Sequence, residues 1–138
     1  MRPRTLGAGG PPVSPIGFGA MKLSIDGRPS EGEALRVLHA AFDAGITLVD
    51  TADVYSLDAS DLGHNEQLIA RALRERPGDR ERILVATKGG SSHPERSRWR
   101  PDGRPEHLRA ACDASLAALG DPGVDGRVRL ELKGNPGW

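Results

Sequence analysis

The stretch Ala44–Ser56 reads AGITLVDTADVYS. Its first part, Ile46-Thr47-Leu48-Val49-Asp50, is almost wholly apolar and ends on a carboxylate, which predicts a buried strand. Ile83-Leu84-Val85-Ala86-Thr87-Lys88 repeats the form, apolar until a charged last residue. Between the two, His64 to about Arg76 places Leu68, Ile69, Ala72 and Leu73 on one helical face, with Arg71, Arg74 and Glu75 turned away. Pro77-Gly78 is predicted to stop that helix. Strand, helix and strand in this order make a βαβ unit, and such units require a parallel sheet.

The alternation continues in both directions, with units roughly 30–40 residues apart. Upstream, Ile16-Gly17-Phe18-Gly19-Ala20-Met21 reads as a short strand. Ser30 opens a helix, with Glu33 placed three residues on to complete a capping box. Leu35, Leu38 and Phe42 give that helix its apolar face, and Gly45 ends it. Before these, Thr5–Gly10 and Pro11–Ser14 suggest two short strands around a glycine turn. Downstream, Gly89–Arg104 reads as a polar loop with four arginines. Pro105 suits the first turn of a third helix, whose inner stripe is Leu108, Ala111, Cys112, Ser115, Leu116 and Leu119. Val128–Leu132 alternates and could form a strand. The two long apolar strands are expected to be covered on both faces.

Composition bounds the function. The 138 residues carry 19 basic and 19 acidic side chains, a formal net charge of zero. That balance argues against a nucleic-acid binder or a protein held on anionic lipid. A single cysteine excludes an internal disulfide and any CxxC metal site. There is no signal-like segment and no run of ~20 apolar residues, so a soluble, cytoplasmic protein is expected. The length suits one small domain and falls short of the ~200 residues that a complete (β/α)8 barrel needs.

Reactive groups in parallel α/β folds stand at the carboxyl ends of strands. Met21, Asp50 and Lys88 occupy those ends, and Tyr55, the only tyrosine, follows Asp50 by five residues. A phenol is a poor acid at neutral pH, but a nearby ammonium favours its phenolate, and a carboxylate can hold that ammonium in place. Such a trio could protonate a carbonyl oxygen while hydride reaches the carbon. Each residue also has an ordinary structural reading: the aspartate as a cap or ion pair, the lysine as a solvated end, the tyrosine as an amphipathic packing residue.

The segment AGITLVDTADVYS resembles the D-T-A-x-x-Y signature of the aldo-keto reductases. GHNEQLIARALRE, ILVATKGG, GFGAMKLS, SEGEALRVLHAAFDAG and RPEHLRAACDASLAALG fit the same family in the right order, over about residues 4 to 120. The resemblance implies an α/β fold: part of a TIM (β/α)8 barrel, with an N-terminal β-hairpin and about three βα units. It implies an NADPH-dependent oxidoreductase acting on a small aldehyde or ketone. Tyr55 would be the proton donor, Lys88 its modifier and Asp50 the partner of the lysine. Gly19, Ala20, Met21 and Asp50 would lie near the nicotinamide.

The family continues with V-D-x-x-x-L-x-x-H, whose histidine is its fourth catalytic residue. This chain reads GVDGRVRLELKGNPGW. His39, His64, His93 and His107 all lie earlier, so none carries over. The expectation is therefore a truncated chain, with residues 1–123 forming the first part of the barrel and 124–138 a divergent tail. The alternative function is a catalytically incompetent fragment that binds or self-associates through exposed strand edges.

Other motifs are weak. Neither GxG completes GxGxxG, there is no GxxxxGK[ST], and the histidines show no metal spacing. Cys112 is expected in the core. His93–Arg100 reads as a solvated loop rather than a basic patch, and by resemblance it edges the substrate mouth, where Trp99 could shape specificity. His64-Asn65-Glu66 reads as a helix start, with Asn65 as cap and Glu66 favouring the dipole.

Overall fold

The computed structural model describes residues 1–96 and 98–120, together with the backbone of strand 128–132. Strands β1 (Arg4–Thr5) and β2 (Pro12–Val13) pair antiparallel, as the glycine-rich turn between them predicts. The main sheet has four parallel strands in the order β3 (Phe18–Gly19), β4 (Leu48–Asp50), β5 (Leu84–Gly89) and β8 (Val128–Leu132). Helix α1 (Glu31–Asp43) joins β3 to β4, and α2 (His64–Glu75) with the short α3 (Pro77–Arg80) joins β4 to β5. A small antiparallel hairpin, β6 (Ser91–Glu95) and β7 (Arg98–Pro101), then precedes α4 (Pro105–Leu119) and β8. Strands in sequential order, each reached through a helix, are the opening units of a (β/α)8 barrel.

Local chemistry sets the helix ends. Ser30 accepts from the Glu33 backbone N–H while the Glu33 carboxylate accepts from the Ser30 N–H, a complete capping box. Gly45, at φ +84, follows α1 in the left-handed conformation that glycine adopts without strain. Pro77 does not merely stop α2: it starts α3, because a proline at a first-turn position loses no intrahelical hydrogen bond.

Alternation along β5 sorts its residues. Val85, Thr87 and Gly89 are buried toward the helices, and Leu84, Ala86 and Lys88 lie half-buried on the opposite face. The main core joins Val49 and Val85 of the sheet to Leu38 and Phe42 of α1, Leu68, Ile69 and Ala72 of α2, and Leu119 of α4. Helix α4 packs close to Gly89, where a Cβ would stand 3.4 Å from the Ala111 Cβ, in van der Waals contact. The expectation that both faces of the long strands are covered is not met among the described residues, because helices pack on one face only.

Three other expectations are corrected. Residues 91–101, read as loop, form the β6–β7 hairpin, with His93 buried inside it. Leu116, assigned to the inner stripe of α4, is 52% exposed, since it lies about 100° round the helix from buried Ser115. Cys112 is half-buried rather than a core residue, on the margin of the same stripe. Val124-Asp125 and most of the 124–138 tail lie outside the described residues.

Candidate functional site

Asp50 ends β4 and Lys88 stands one residue before the end of the neighbouring β5, so parallel register brings both to the same edge of the sheet. The Lys88 ammonium donates to Asp50 Oδ1 at 2.6 Å and to the Thr51 carbonyl at 2.8 Å. It lies 5.2 Å from the centroid of the Tyr55 ring, within cation–π range. Lys88 is mostly buried while Asp50 keeps 42% of its side chain exposed, so the pair opens toward solvent on the carboxylate side. The three residues that the sequence places in one mouth are together there.

Of the proposed cofactor contacts, Gly19 pairs with Asp50 across the β3–β4 ladder, and a Cβ at Gly19 would meet nothing within 4 Å. That strand end is open. Met21 lines a hollow of about 70 Å³ with Tyr55, Lys88, Gly89 and Trp99. Ala20 differs: its side chain is fully buried in the main core, and only its backbone reaches the strand end, donating to the Asp50 carbonyl at 2.9 Å. The hollow is the size of a carbonyl group with a short substituent, not of a dinucleotide. The open backbone at Gly19 and the thioether of Met21 suit the flat, weakly polar reacting end of a nicotinamide. No histidine lines this hollow among the described residues. Nor do three His, Cys, Asp or Glu side chains gather there in a metal-binding group.

The hairpin contributes a wall that pattern reading missed. Trp99 packs against Tyr55 with ring centroids 6.0 Å apart, and its indole N–H donates to the Val54 carbonyl at 2.9 Å. On its other side the His93 ring meets Trp99 edge-on at 6.1 Å. Arg96 carries the hairpin farther across, pairing with Asp26 at 2.8 Å. Trp99 therefore lines the same hollow as Tyr55 and Lys88.

Two more residues act differently from their reading. The N-cap of α2 is Gly63, at φ +78, with no side-chain cap. Asn65 is instead fully buried, accepting from Thr51 Oγ1 at 2.6 Å and donating to the Ala20 carbonyl at 2.8 Å and to Ser24 Oγ at 2.7 Å. It ties the ends of β3 and β4 to the start of α2. Glu66, 1% exposed, accepts from Thr87 Oγ1 at 2.5 Å and does the same for β5. Burial raises its pKa, opposed by that hydrogen bond. The signal for both was present: a polar pair one residue into an apolar helix, facing threonines at strand ends.

Asp53 lies behind the mouth. Burial, and then the nearby Glu66 carboxylate, push its carboxyl up to about 6.

The fold defines a class, the opening half of a parallel α/β barrel with its candidate site at the carboxyl ends of the strands. The model of the aldo/keto reductase family matches residues 15–125, and the chain belongs to that family. A 6-dehydroglucose reductase from Novosphingobium aromaticivorans is 43% identical over 117 residues, covering 84% of this chain and 37% of the relative. Probable aldo-keto reductase 1 of Glycine max is 39% identical over 125 residues, covering 86% of this chain and 33% of the relative. Among solved structures, the putative aldo-keto reductase PA4992 from Pseudomonas aeruginosa superposes with a TM-score of 0.75 at 30% identity, over 96% of this chain and 48% of that one. The holo form of aldo-keto reductase AKR11C1 from Bacillus halodurans gives 0.67 at 34% identity, over 86% of this chain and 36% of that one. The chain spans about half the length of these relatives, or less.

Proposed function

We propose that this chain carries the proton-donating half of a carbonyl reductase site, in a cytoplasmic protein that reduces a small aldehyde or ketone with NADPH. The observation that carries the reading is the Lys88 ammonium, bonded to Asp50 and lying against Tyr55 at the strand ends. Tyr55 holds the proton destined for the carbonyl oxygen. An ammonium beside a phenol stabilises the charge left when that proton departs. Asp50 aims the Lys88 ammonium, and the Thr51 carbonyl fixes its second direction. NADPH, when bound, supplies the hydride; Gly19, Met21 and Asp50 would face its nicotinamide, with Ala20 contributing backbone alone. Trp99 and Met21 exclude water from the hollow where the carbonyl group sits. In this reading residues 1–123 are the working segment and 124–138 a tail. The protein acts on small molecules rather than on nucleic acid or membrane, and exposed strand edges are its route to self-association.

A second reading is a chain that does not turn over carbonyls by itself. It is favoured by the absence of a histidine from the hollow among the described residues. Positioning of the two reactants can account for roughly 7–11 kcal/mol of a barrier, whereas a tuned acid contributes only ~10²–10⁴-fold.

The test is loss of nicotinamide absorbance with a panel of aldehydes, on folded, monodisperse protein, beside a fluorescence titration with NADPH. Turnover that falls by about 10²–10⁴-fold in Tyr55→Phe supports the reductase. Absence of turnover in the native chain supports the second reading.

A further inference from the structure

A chain of hydrogen bonds runs behind the mouth from Thr51 through Asn65 and Ser24 to His64, and donor chemistry sets its direction atom by atom. The Ala20 carbonyl only accepts, so the Asn65 group 2.8 Å from it is the Nδ2 amide, and Oδ1 is left to accept from Thr51. The second Nδ2 hydrogen goes to Ser24 Oγ at 2.7 Å. Ser24 is fully buried, and its hydroxyl has one hydrogen of its own to place. The one other partner of Ser24 Oγ among the described residues is His64 Nδ1, at 2.7 Å. That nitrogen therefore accepts, which makes His64 a neutral imidazole with its proton on Nε2.

A proton added at Nδ1 turns this acceptor into a donor. Ser24 Oγ would then face two donors, Asn65 and His64, and its own hydrogen would have no acceptor in a place without water. A buried donor left in that way is costly, so the bond to Ser24 has to break. Ser24 closes the turn Met21–Leu23: its N–H donates to the Met21 carbonyl at 3.1 Å, and the Leu23 N–H donates to the Ala20 carbonyl at 2.9 Å. Met21, in that turn, lines the small hollow beside Tyr55 and Lys88. The charged groups around His64 are Arg28 and Asp61, paired with each other, and Glu31 of α1. Burial first, and then Arg28, hold the His64 pKa below the ordinary histidine value, with Asp61 and Glu31 opposing.

We propose that neutral His64 is a positioning residue of the mouth: it anchors Ser24, and through Ser24 the turn that carries Met21, and its protonation releases that turn. The anchoring holds whether or not the chain reduces carbonyls, and its test needs neither NADPH nor turnover.

The test is nuclear magnetic resonance on the full chain from about pH 8 to about pH 4.5, a range that contains histidine titration. At the alkaline end, long-range nitrogen–hydrogen spectra should show an unprotonated Nδ1 and a protonated Nε2 on His64. As His64 takes its second proton, the protection factors of the Leu23 and Ser24 amides should fall by at least about fivefold, the worth of one neutral hydrogen bond. The Met21 methyl signal should shift with the same midpoint. His64→Asn supplies an accepting Oδ1 that cannot titrate, so it should keep the protection of both amides across the range. Asp53 titrates in the same range but is common to both chains, so the comparison cancels it. A proton on Nδ1 at the alkaline end, protection at Leu23 and Ser24 that ignores the His64 titration, or the same loss in His64→Asn would each overturn the proposal. The first two outcomes are read on the native chain, so a poorly folded variant leaves the test decisive.

Discussion

Asn65, on the first turn of α2, accepts a 2.6 Å hydrogen bond from Thr51, the residue that follows β4, and both side chains are fully buried. The same amide donates to the carbonyl of Ala20 and to Ser24. One side chain thus fixes the peptide whose carbonyl, at Thr51, receives the Lys88 ammonium. Asn65→Ala would remove three hydrogen bonds and leave the buried Thr51 hydroxyl unpaired, while the Ala20 carbonyl keeps the Leu23 N–H and Ser24 keeps His64. The expected loss is about 3 kcal/mol of folding stability, read as a lower urea midpoint at unchanged slope. A loss below about 0.5 kcal/mol would mean that water replaces the amide without difficulty.

Lys88→Met tests the mouth itself. The methionine keeps most of the buried stem and removes the ammonium from Asp50, which is 42% exposed and can be hydrated. Stability should therefore change by less than about 1 kcal/mol. In a reductase assay, turnover should fall by about 10²–10⁴-fold. Equal turnover of the variant and the native chain would remove Lys88 from the proton-donating group.

What could be read in advance was what periodicity and end chemistry control. The strands around Val49 and Val85, the Ser30 cap, the start of α4 at Pro105 and the meeting of Asp50 with Lys88 all follow from local pattern plus parallel register. What could not be read depended on partners distant in sequence. Asn65 and Glu66 look like ordinary helix-start residues until Thr51 and Thr87 arrive from two strands. The hairpin at 91–101 has no apolar alternation, because Trp99 and His93 pack on Tyr55 and on each other rather than into the core. Leu116 shows the converse: its apolar character places it in a stripe that α4 does not bury.

Trp99 is expected to hold the hairpin over the mouth. Trp99→Phe keeps a ring against Tyr55 but leaves the Val54 carbonyl without its 2.9 Å donor. One neutral hydrogen bond is worth about 1 kcal/mol, so amide exchange in the hairpin should quicken by about fivefold while α1 and α2 stay unchanged. Uniform acceleration across the whole chain would show that Trp99 supports global stability rather than this wall.

The last prediction concerns pH. Asp53 is pushed up to about 6, chiefly by burial and then by Glu66, while His107 and the backbone N–H groups of Asp53 and Val54 pull it down. Below about pH 4 its carboxyl is protonated in the folded and unfolded chains alike, and above about pH 6 it is ionised in both. Between those limits the folded chain keeps a proton that the unfolded chain has released. Stability from this group is therefore full at the acid end and lost as pH rises through 6. With Asp53 partly screened by solvent, the expected contribution is about 1–2 kcal/mol. Other carboxylates titrate in the opposite sense: Asp43 and Asp102 are held low by Arg76 and Arg104. The difference between native chain and Asp53→Asn isolates the one group, since asparagine cannot ionise. The variant should gain about 1–2 kcal/mol over the native chain between pH 4 and pH 7.5, measured by urea unfolding at each pH. A difference that stays flat across that range would show that the Asp53 carboxylate is solvated in the folded chain.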